Sequence, residues 1–147
     1  MAEINKKIFE RTGETFRINT DDQEILDLLD GLPVKDDAGF DNFNEQLKIN
    51  HTKQAMMRFF KGFGGQNVRN FINNMLKMVL MDEVALMYSL TGIRTTKKAF
   101  VNTEVFKLIY QLCKTVHEDV KDAFIKEIIG NWLNQAKLRL TRRGQYK

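Results

Sequence analysis

The sequence is poor in the residues that build disulfide frameworks, metal sites and membrane spans. It has one cysteine and two histidines among 147 residues, so it cannot form an internal disulfide or complete a four-ligand zinc site. No run of about 18 apolar residues occurs, which argues against a membrane-spanning helix, and the first residues lack the apolar block of a secretory signal. We expect a protein of the cytosol or nucleus with no metal and no cofactor.

Proline is equally scarce, and its place in the chain favours helices. The single proline, Pro33, lies outside every strongly periodic segment, and apolar residues recur at helical spacing from residue 20 onward. The hydrophobic content of 43% suffices for one core. We predict an all-α fold, a compact bundle of about five to six helices. No hairpin signal is recognised, although "TFRINT" alternates weakly like a strand.

Acidic residues are concentrated at the start of the chain. Residues 1–40 contain five Lys or Arg and ten Asp or Glu, a net charge of −5, whereas residues 41–147 carry +9. The stretch "QEILDLLD" predicts a short amphipathic helix, capped by Thr20 with Gln23, and "GLPVKDDAG" is typical of a linker. We therefore divide the chain into an acidic leader (1–31), a helical domain (32–141) and a basic tail (142–147).

Residue patterns that indicate catalysis are weak. Gly62, Gly64 and Gly65 lack the Lys-Ser/Thr of a phosphate-binding loop, so a tight turn between helices is the simpler interpretation. Cys113 and His117 are four residues apart, as a thiolate and its base on one helix face would be. Cys113 also belongs to an apolar stripe, and no residue pattern orients His117, which favours a buried structural cysteine. We expect no enzyme activity.

Basic residues are concentrated in two places. The stretch "YSLTGIRTTKKAF", residues 88–100, carries Arg94, Lys97 and Lys98 with no acidic residue. The end of the chain, "KLRLTRRGQYK", is also free of acids and carries Lys137, Arg139, Arg142, Arg143 and Lys147. Such a distribution fits a domain that binds nucleic acid or an acidic partner, although solubility alone also explains a modest excess of positive charge.

The last predicted helix, which begins at Asp119 or Asp122 and runs to about residue 141, has two faces. Its apolar face is expected to pack on the body and consists of Phe124, Ile125, Ile128, Ile129, Trp132, Leu133 and Ala136. The other face consists of Lys126, Gly130, Asn131, Asn134, Lys137 and Thr141, interrupted by Glu127 and Leu138. These polar groups suit contacts with phosphates and base edges. They also suit an ordinary solvated helix, which composition alone favours.

The order of these features resembles the centre of BEN domains. The stretch "NNMLKMVLMDEVALMYSLTGIRTTKKAFVNTEVFKLIYQLC" combines an apolar helix, a short Asp-Glu-Val-Ala helix, a Thr-Gly turn, a Lys-Lys loop and a capped helix. It is more similar still to an insect family of BEN-like domains of unknown function, found in nuclear and transposon-associated proteins. Shared features are Leu32-Pro33, Gly64-Gly65, Thr91-Gly92 and the late "WLNQAKLR" helix. The resemblance covers about residues 32–141.

What the resemblance implies is a nuclear domain that binds double-stranded DNA, often as a homodimer, in transcription or chromatin regulation. The last helix would enter the major groove with Lys126, Gly130, Asn131, Asn134 and Lys137. Arg94, Lys97 and Lys98 would hold the DNA backbone, and Arg142 and Arg143 would reach phosphates or the minor groove. Arg139, in the same basic stretch, is included among the DNA contacts.

A second interpretation is a protein–protein interaction domain that reads no DNA. In this case the leader helix would fill a partner's groove with Ile25, Leu26, Leu28 and Leu29. As a third possibility, the acidic leader folds back on the basic body and masks the DNA-binding face.

Overall fold

The structure is a computed structural model that describes residues 6–11, 14–19, 22–63, 67–93 and 95–144. Over these residues the chain is mostly helical, which confirms the predicted class in its broad form. The helices are α1 (Gln23–Asp30), α2 (Asp37–Leu47), α3 (Asn50–Lys61), α4 (Val68–Val79), α5 (Asp82–Ala85), α6 (Glu104–Val116), α7 (Asp122–Asn134) and α8 (Ala136–Arg142). The strands are β1 (Lys6–Arg11), β2 (Glu14–Asn19), β3 (Tyr88–Ser89) and β4 (Lys98–Ala99), and a 3-10 turn, Phe100–Asn102, precedes α6. Within the described ranges no helix has the length and apolar character needed to cross a bilayer.

Polar side chains fix the starts of four helices. Asp22, Asp36, Asn67 and Thr103 each accept a hydrogen bond from a backbone N–H of the first turn, at 2.7 to 3.4 Å. These bonds satisfy donors that have no partner inside a helix. Thr103 caps α6. Asp22 caps α1, whereas the predicted cap of that helix lies outside the described residues.

Helix α6 lies at the centre of the core. It packs against α2, α3, α4 and α7, and its buried side is formed by Val105, Phe106, Leu108, Ile109, Leu112 and Cys113. Aromatic rings fill the space next to it, and Phe40 stacks on Phe100 with ring centres 6.1 Å apart. Each fully buried side chain of this kind contributes roughly 1.5–3 kcal/mol. Helices α2, α3, α4 and α7 are therefore positioned by their contacts with α6.

The predicted linker is part of the domain. Leu32 and Val34 are only 2% and 6% exposed, and the peptide bond between Leu32 and Pro33 is cis. The N–H of Val34 donates to the carbonyl of Val79 at 2.8 Å, and the N–H of Met81 donates to the carbonyl of Val34 at 3.1 Å. The segment predicted as a linker is therefore packed on the helical body.

An antiparallel hairpin precedes α1. In it Lys6 lies opposite Asn19 and Arg11 opposite Glu14. The prediction that no hairpin is present was wrong. Only two residues, Thr12 and Gly13, separate the strands, and a two-residue connection containing glycine is a typical hairpin signal; it was missed because the alternation of apolar residues is weak.

The last predicted helix is two helices. α7 ends at Asn134, and α8 begins at Ala136 after Gln135, which has φ −92° and ψ 2°. The guanidinium of Arg139 reaches back across this break and donates from Nη1 to the carbonyl oxygen of Trp132 at 2.8 Å. The single continuous helix was therefore a wrong prediction, and α8 packs against α5.

Candidate nucleic-acid interface

The basic loop, residues 88–100, is closed at its base by two short strands. β3 and β4 pair in parallel, with Tyr88 opposite Lys98. Gly92 turns the chain with a φ of 71°, and a Cβ added there would lie 3.2 Å from the Cβ of Ala99. The turn therefore requires glycine. Most of the loop residues that follow the turn, as far as the structure describes them, are exposed.

Lys98, a predicted phosphate contact, forms an ion pair at the protein surface. Its ammonium donates to the carboxylate of Asp37 in the first turn of α2 and lies 5.9 Å from the centre of the Tyr88 ring. The hydrogen bond to Asp37 raises the pKa of Lys98. The Lys98 side chain is 54% exposed, and an exposed ion pair contributes little to stability, so the phosphate contact of Lys98 stays a prediction. Lys97 is partly buried, and Arg94 lies outside the described residues.

α7 carries the predicted groove residues, but not all of them are available. A Cβ added at Gly130 would lie 3.7 Å from the Cβ of Leu90. Leu90 of the basic loop therefore packs against the middle of α7 at Gly130, which is partly buried. Lys126, Asn131 and Asn134 are exposed, as predicted.

The exposed side of α7 has an acidic residue at its centre. With 3.6 residues per turn, Glu127, Asn131 and Asn134 fall within about 60° of one another and opposite the buried side. We call these three residues the outer face. Lys126 is about 100° from Glu127 around the helix, on the side where the loop residue Leu90 covers the helix. The outer face is thus polar, and the positive charge lies along its flank.

Two arginines that were predicted to contact DNA, Arg139 and Arg143, form ion pairs with Asp82 of α5. Nε of Arg139 donates to Oδ1 of Asp82 at 2.8 Å, and Nη2 of Arg143 lies 3.0 Å from Oδ2 of the same residue. The Cζ of Arg139 is 4.0 Å from the centre of the Trp132 ring. The Asp82 and Arg139 side chains are only 8% and 22% exposed. Arg139 is therefore engaged within the protein, and Arg143, although 46% exposed, has a carboxylate partner.

The predicted interface is consequently smaller than expected. The predicted contacts that the structure leaves exposed are Lys98, Lys126, Asn131, Asn134, Lys137, Arg142 and Arg143. Five of these seven carry a positive charge, so the surface offers both charge-assisted contacts for phosphates and amide groups for base edges. The partnership of Asp82 with two arginines is the feature that the sequence analysis missed most clearly.

The side chains predicted to bind a partner through α1 are in the core. Ile25, Leu26 and Leu29 are 1%, 6% and 0% exposed, and Leu28 packs against the same cluster. Their role in filling a partner's groove is therefore a wrong prediction, since burying them on the body already removes their apolar surface from water. The exposed side of α1 carries Gln23, Glu24, Asp27 and Asp30.

An open groove of about 620 Å³ lies beside the start of α7. It is lined by Val68, His117, Glu118, Asp119, Val120, Lys121 and Phe124. Phe124 was predicted to pack on the body, but 39% of it is exposed. An exposed aromatic ring in an open groove is a typical feature of surfaces that bind another protein.

Cys113 and His117 do not form a thiolate and its base. Cys113 is fully buried, and burial raises the pKa of its thiol to about 12, so the thiol is protonated at neutral pH. The ring of His117 packs against Phe71 with ring centres 5.7 Å apart. The interpretation of Cys113 as a buried structural cysteine is confirmed.

Residues 29–112 match the model of a family described as a domain of unknown function, DUF4806. The matched range runs from the end of α1 through the basic loop into α6, and it stops before α7. No curated protein and no solved structure matches the chain. Because the matched residues are more than half of the chain, this protein belongs to the DUF4806 family.

Proposed function

We propose that this protein is a BEN-like, nuclear, DNA-binding domain that acts in transcription or chromatin regulation. The observation that carries the proposal is the contact of Leu90 with Gly130. Because of it, the start of the basic loop, β3 and Leu90, packs against one flank of α7, next to the outer face. A helix with a polar outer face and a positive flank is suited to a DNA groove, since the flank meets phosphates while the outer face meets base edges.

In this proposal the residues have separate roles. Asn131 and Asn134 read base edges, since an amide group pairs with adenine through two hydrogen bonds. Glu127 accepts a hydrogen bond from the amino group of cytosine, or else repels the backbone. The phosphate contacts are Lys97, Lys126, Lys137 and Arg142. The order of motifs shared with BEN domains supports the same assignment.

Equilibrium binding to a duplex of random sequence tests the proposal. With about four phosphate contacts, log K should fall against log salt concentration with a slope of about −4. Lys97→Glu should weaken binding on every sequence, whereas Lys61→Glu on α3 serves as the control with the same change of charge. A protein that binds no duplex at low salt would contradict the proposal.

Selection from a randomised duplex library tests base readout. An enriched sequence motif is expected for the unsubstituted protein. Asn131→Ala and Asn134→Ala should change that motif more than they change the total affinity, because they remove base contacts and leave the phosphate contacts in place. Equal losses on all sequences would show that these asparagines do not read bases.

Protein–protein interaction is the second candidate, and the groove at Phe124 favours it. The occupant we propose is a second copy of this chain. Glu118 and Asp119 lie next to Lys121 in the groove. In a dimer with a two-fold axis, the acidic residues of one copy can therefore lie opposite Lys121 of the other copy, around Phe124. Phe124→Glu should then abolish a dimer measured by light scattering, whereas Leu138→Glu, at another partly exposed apolar side chain, should not. A monomer at every concentration counts against this candidate.

A further inference from the structure

We propose that Arg69 and Lys107 contact the phosphates of the two DNA strands on opposite sides of α7. Neither residue was singled out by the sequence, because they belong to α4 and α6 and approach α7 only in the folded protein. The inference rests on the proposed function and extends it from one flank of α7 to both.

Arg69 lies on the flank formed by α4. This helix packs along α7, and the Cζ of the exposed Arg69 is 5.7 Å from the centre of the Phe124 ring. When an arginine stacks on an aromatic ring, the N–H groups at the edge of its planar guanidinium still point outward and can donate hydrogen bonds. These groups suit a phosphate, which they bind through paired hydrogen bonds.

Lys107 lies on the flank formed by α6. A surface groove of about 340 Å³ between α6 and α7 is lined by Phe106, Lys107, Tyr110, Gln111, Asp122 and Lys126. Lysines from two helices thus border one groove. The Nζ of Lys107 is 2.9 Å from Oε2 of Glu104, an exposed pair three residues apart that contributes little. A phosphate can therefore replace Glu104 as the partner of Lys107.

The carboxylate in this groove is already neutralised. Asp122 accepts a hydrogen bond from the hydroxyl of Tyr110, and its Oδ1 lies 3.1 Å from the Nζ of Lys114. The bond from Tyr110, followed by the one from Lys114, lowers the pKa of Asp122. Because its charge is matched by Lys114, Asp122 does not cancel the charges of Lys107 and Lys126.

The spacing on α7 puts the two flanks on opposite sides. At 3.6 residues per turn, Phe124 and Lys126 point about 160° apart, with the outer face between them. An α-helix with its side chains is about 10–12 Å wide, close to the width of about 12 Å of the major groove. With the outer face towards the bases, Arg69 therefore meets one strand and Lys107 the other.

The slope of log K against log salt, measured on a random duplex, tests this assignment. Arg69→Gln and Lys107→Gln should each reduce the magnitude of the slope by about 0.9, and the double variant by about 1.8, because each removes one phosphate contact. Arg58→Gln and Lys61→Gln on α3 remove the same charges from a helix that packs on α2 and α6, and should leave the slope unchanged.

The possible outcomes separate this inference from the proposed function. If the unsubstituted protein binds no DNA, both are overturned. If it binds and Lys97→Glu weakens binding, while neither glutamine variant changes the slope, only the two-flank assignment is overturned. A reduced slope for one variant alone also overturns it, because the assignment requires a contact on each strand. Equal reductions for the α3 controls would show an effect of net charge and would count against it as well.

Discussion

At the scale of single residues, Asp82 of α5 holds α8 in place through two arginines. Its two carboxylate oxygens serve Arg139 and Arg143, respectively, and Arg139 is further held by the ring and carbonyl group of Trp132. Charges in such a position are desolvated, so removing one partner leaves the others poorly compensated. The cluster is therefore expected to contribute to stability far more than a surface ion pair.

We expect Asp82→Asn to lower the free energy of unfolding by about 3 kcal/mol, because it leaves a mostly buried guanidinium without its counter-charge. Urea denaturation followed by circular dichroism measures the effect. Glu83→Gln is the control, since Glu83 is 47% exposed and 3.9 Å from Arg143, and should cost less than about 1 kcal/mol. Similar losses for both variants would indicate that Asp82 behaves as a surface residue.

Cys113 predicts how stability depends on alkaline pH. Burial raises the pKa of its thiol from 9.0 to about 12, so below pH 9 the thiol is protonated in both the folded and the unfolded state. Above pH 9 only the unfolded thiol loses its proton, so stability should fall by up to about 1.4 kcal/mol per pH unit until the folded thiol also ionises. Denaturation at about pH 8 and about pH 10.5 should show this loss for the unsubstituted protein, and a smaller loss for Cys113→Ala. Equal losses in the two proteins would contradict the assignment.

Two basic residues show what the local sequence does not predict. Lys98 and Arg139 were assigned to DNA because no acid is near them in the sequence. Their partners, Asp37 and Asp82, are 61 and 57 residues away. Net charge and local spacing therefore identify where basic residues are concentrated, but the pairing of each one depends on which helices meet in the fold.

At the scale of elements, the contact of Leu90 with Gly130 joins the basic loop to α7. The Cβ of an alanine at position 130 would be in ordinary van der Waals contact with Leu90, at 3.7 Å. Glycine in the interior of a helix costs about 1 kcal/mol relative to alanine. A small side chain therefore fits at this junction and a large one displaces the loop.

Gly130→Ala is expected to raise the free energy of unfolding by about 0.5–1 kcal/mol and to leave DNA binding unchanged. Gly130→Leu should destabilise the protein by about 1–3 kcal/mol, since it must push Leu90 away. Urea denaturation and filter binding to duplex DNA provide the two measurements. A large loss of DNA binding by the alanine variant would mean that Gly130 itself approaches the DNA.

Helices with a complete apolar stripe were predictable, and helix ends set by distant contacts were not. Six buried apolar residues recur at helical spacing in α4, and a side-chain cap marks the start of α6, so both elements follow from local rules. The break at Gln135 contains neither glycine nor proline. It accompanies the packing of α8 on α5, which no local pattern indicates.

At the scale of the whole molecule, the acidic charge of the predicted leader lies mainly in α1. Residues 1–21 hold four basic and four acidic residues and carry no net charge, whereas the exposed side of α1 carries Glu24, Asp27 and Asp30. Since α1 packs in the core, its charge is fixed relative to the basic residues. Masking of the DNA-binding face is therefore to be tested on α1 rather than by removing the whole leader.

Removal of residues 1–21 should leave DNA affinity unchanged, because the segment has no net charge. Glu24→Gln combined with Asp27→Asn should raise affinity at about 0.01 M salt and lose the effect near 0.15 M, where charges are screened beyond about 8 Å. Filter binding at the two salt concentrations measures both variants. Tighter binding after the truncation alone would show that residues 1–21 cover the interface.

The fold class followed from the sequence, but the size of the candidate interface did not. Periodicity of apolar residues predicts helices because burial of one face is a local requirement. Which basic residues remain on the surface depends on long-range ion pairs, and the order of the motifs predicts none of them. The sequence thus located the basic residues without showing which of them pair with carboxylates in the fold.

Trp132 is the only tryptophan in the sequence, so the intrinsic fluorescence of the protein reports on this one position. The indole is 6% exposed and lies under the guanidinium of Arg139, at the junction of α7 and α8. Its fluorescence should report the separation of these two helices as well as global unfolding. A change in emission when duplex DNA is added, absent in a protein with Arg139→Met, would reveal movement at this junction without any attached label.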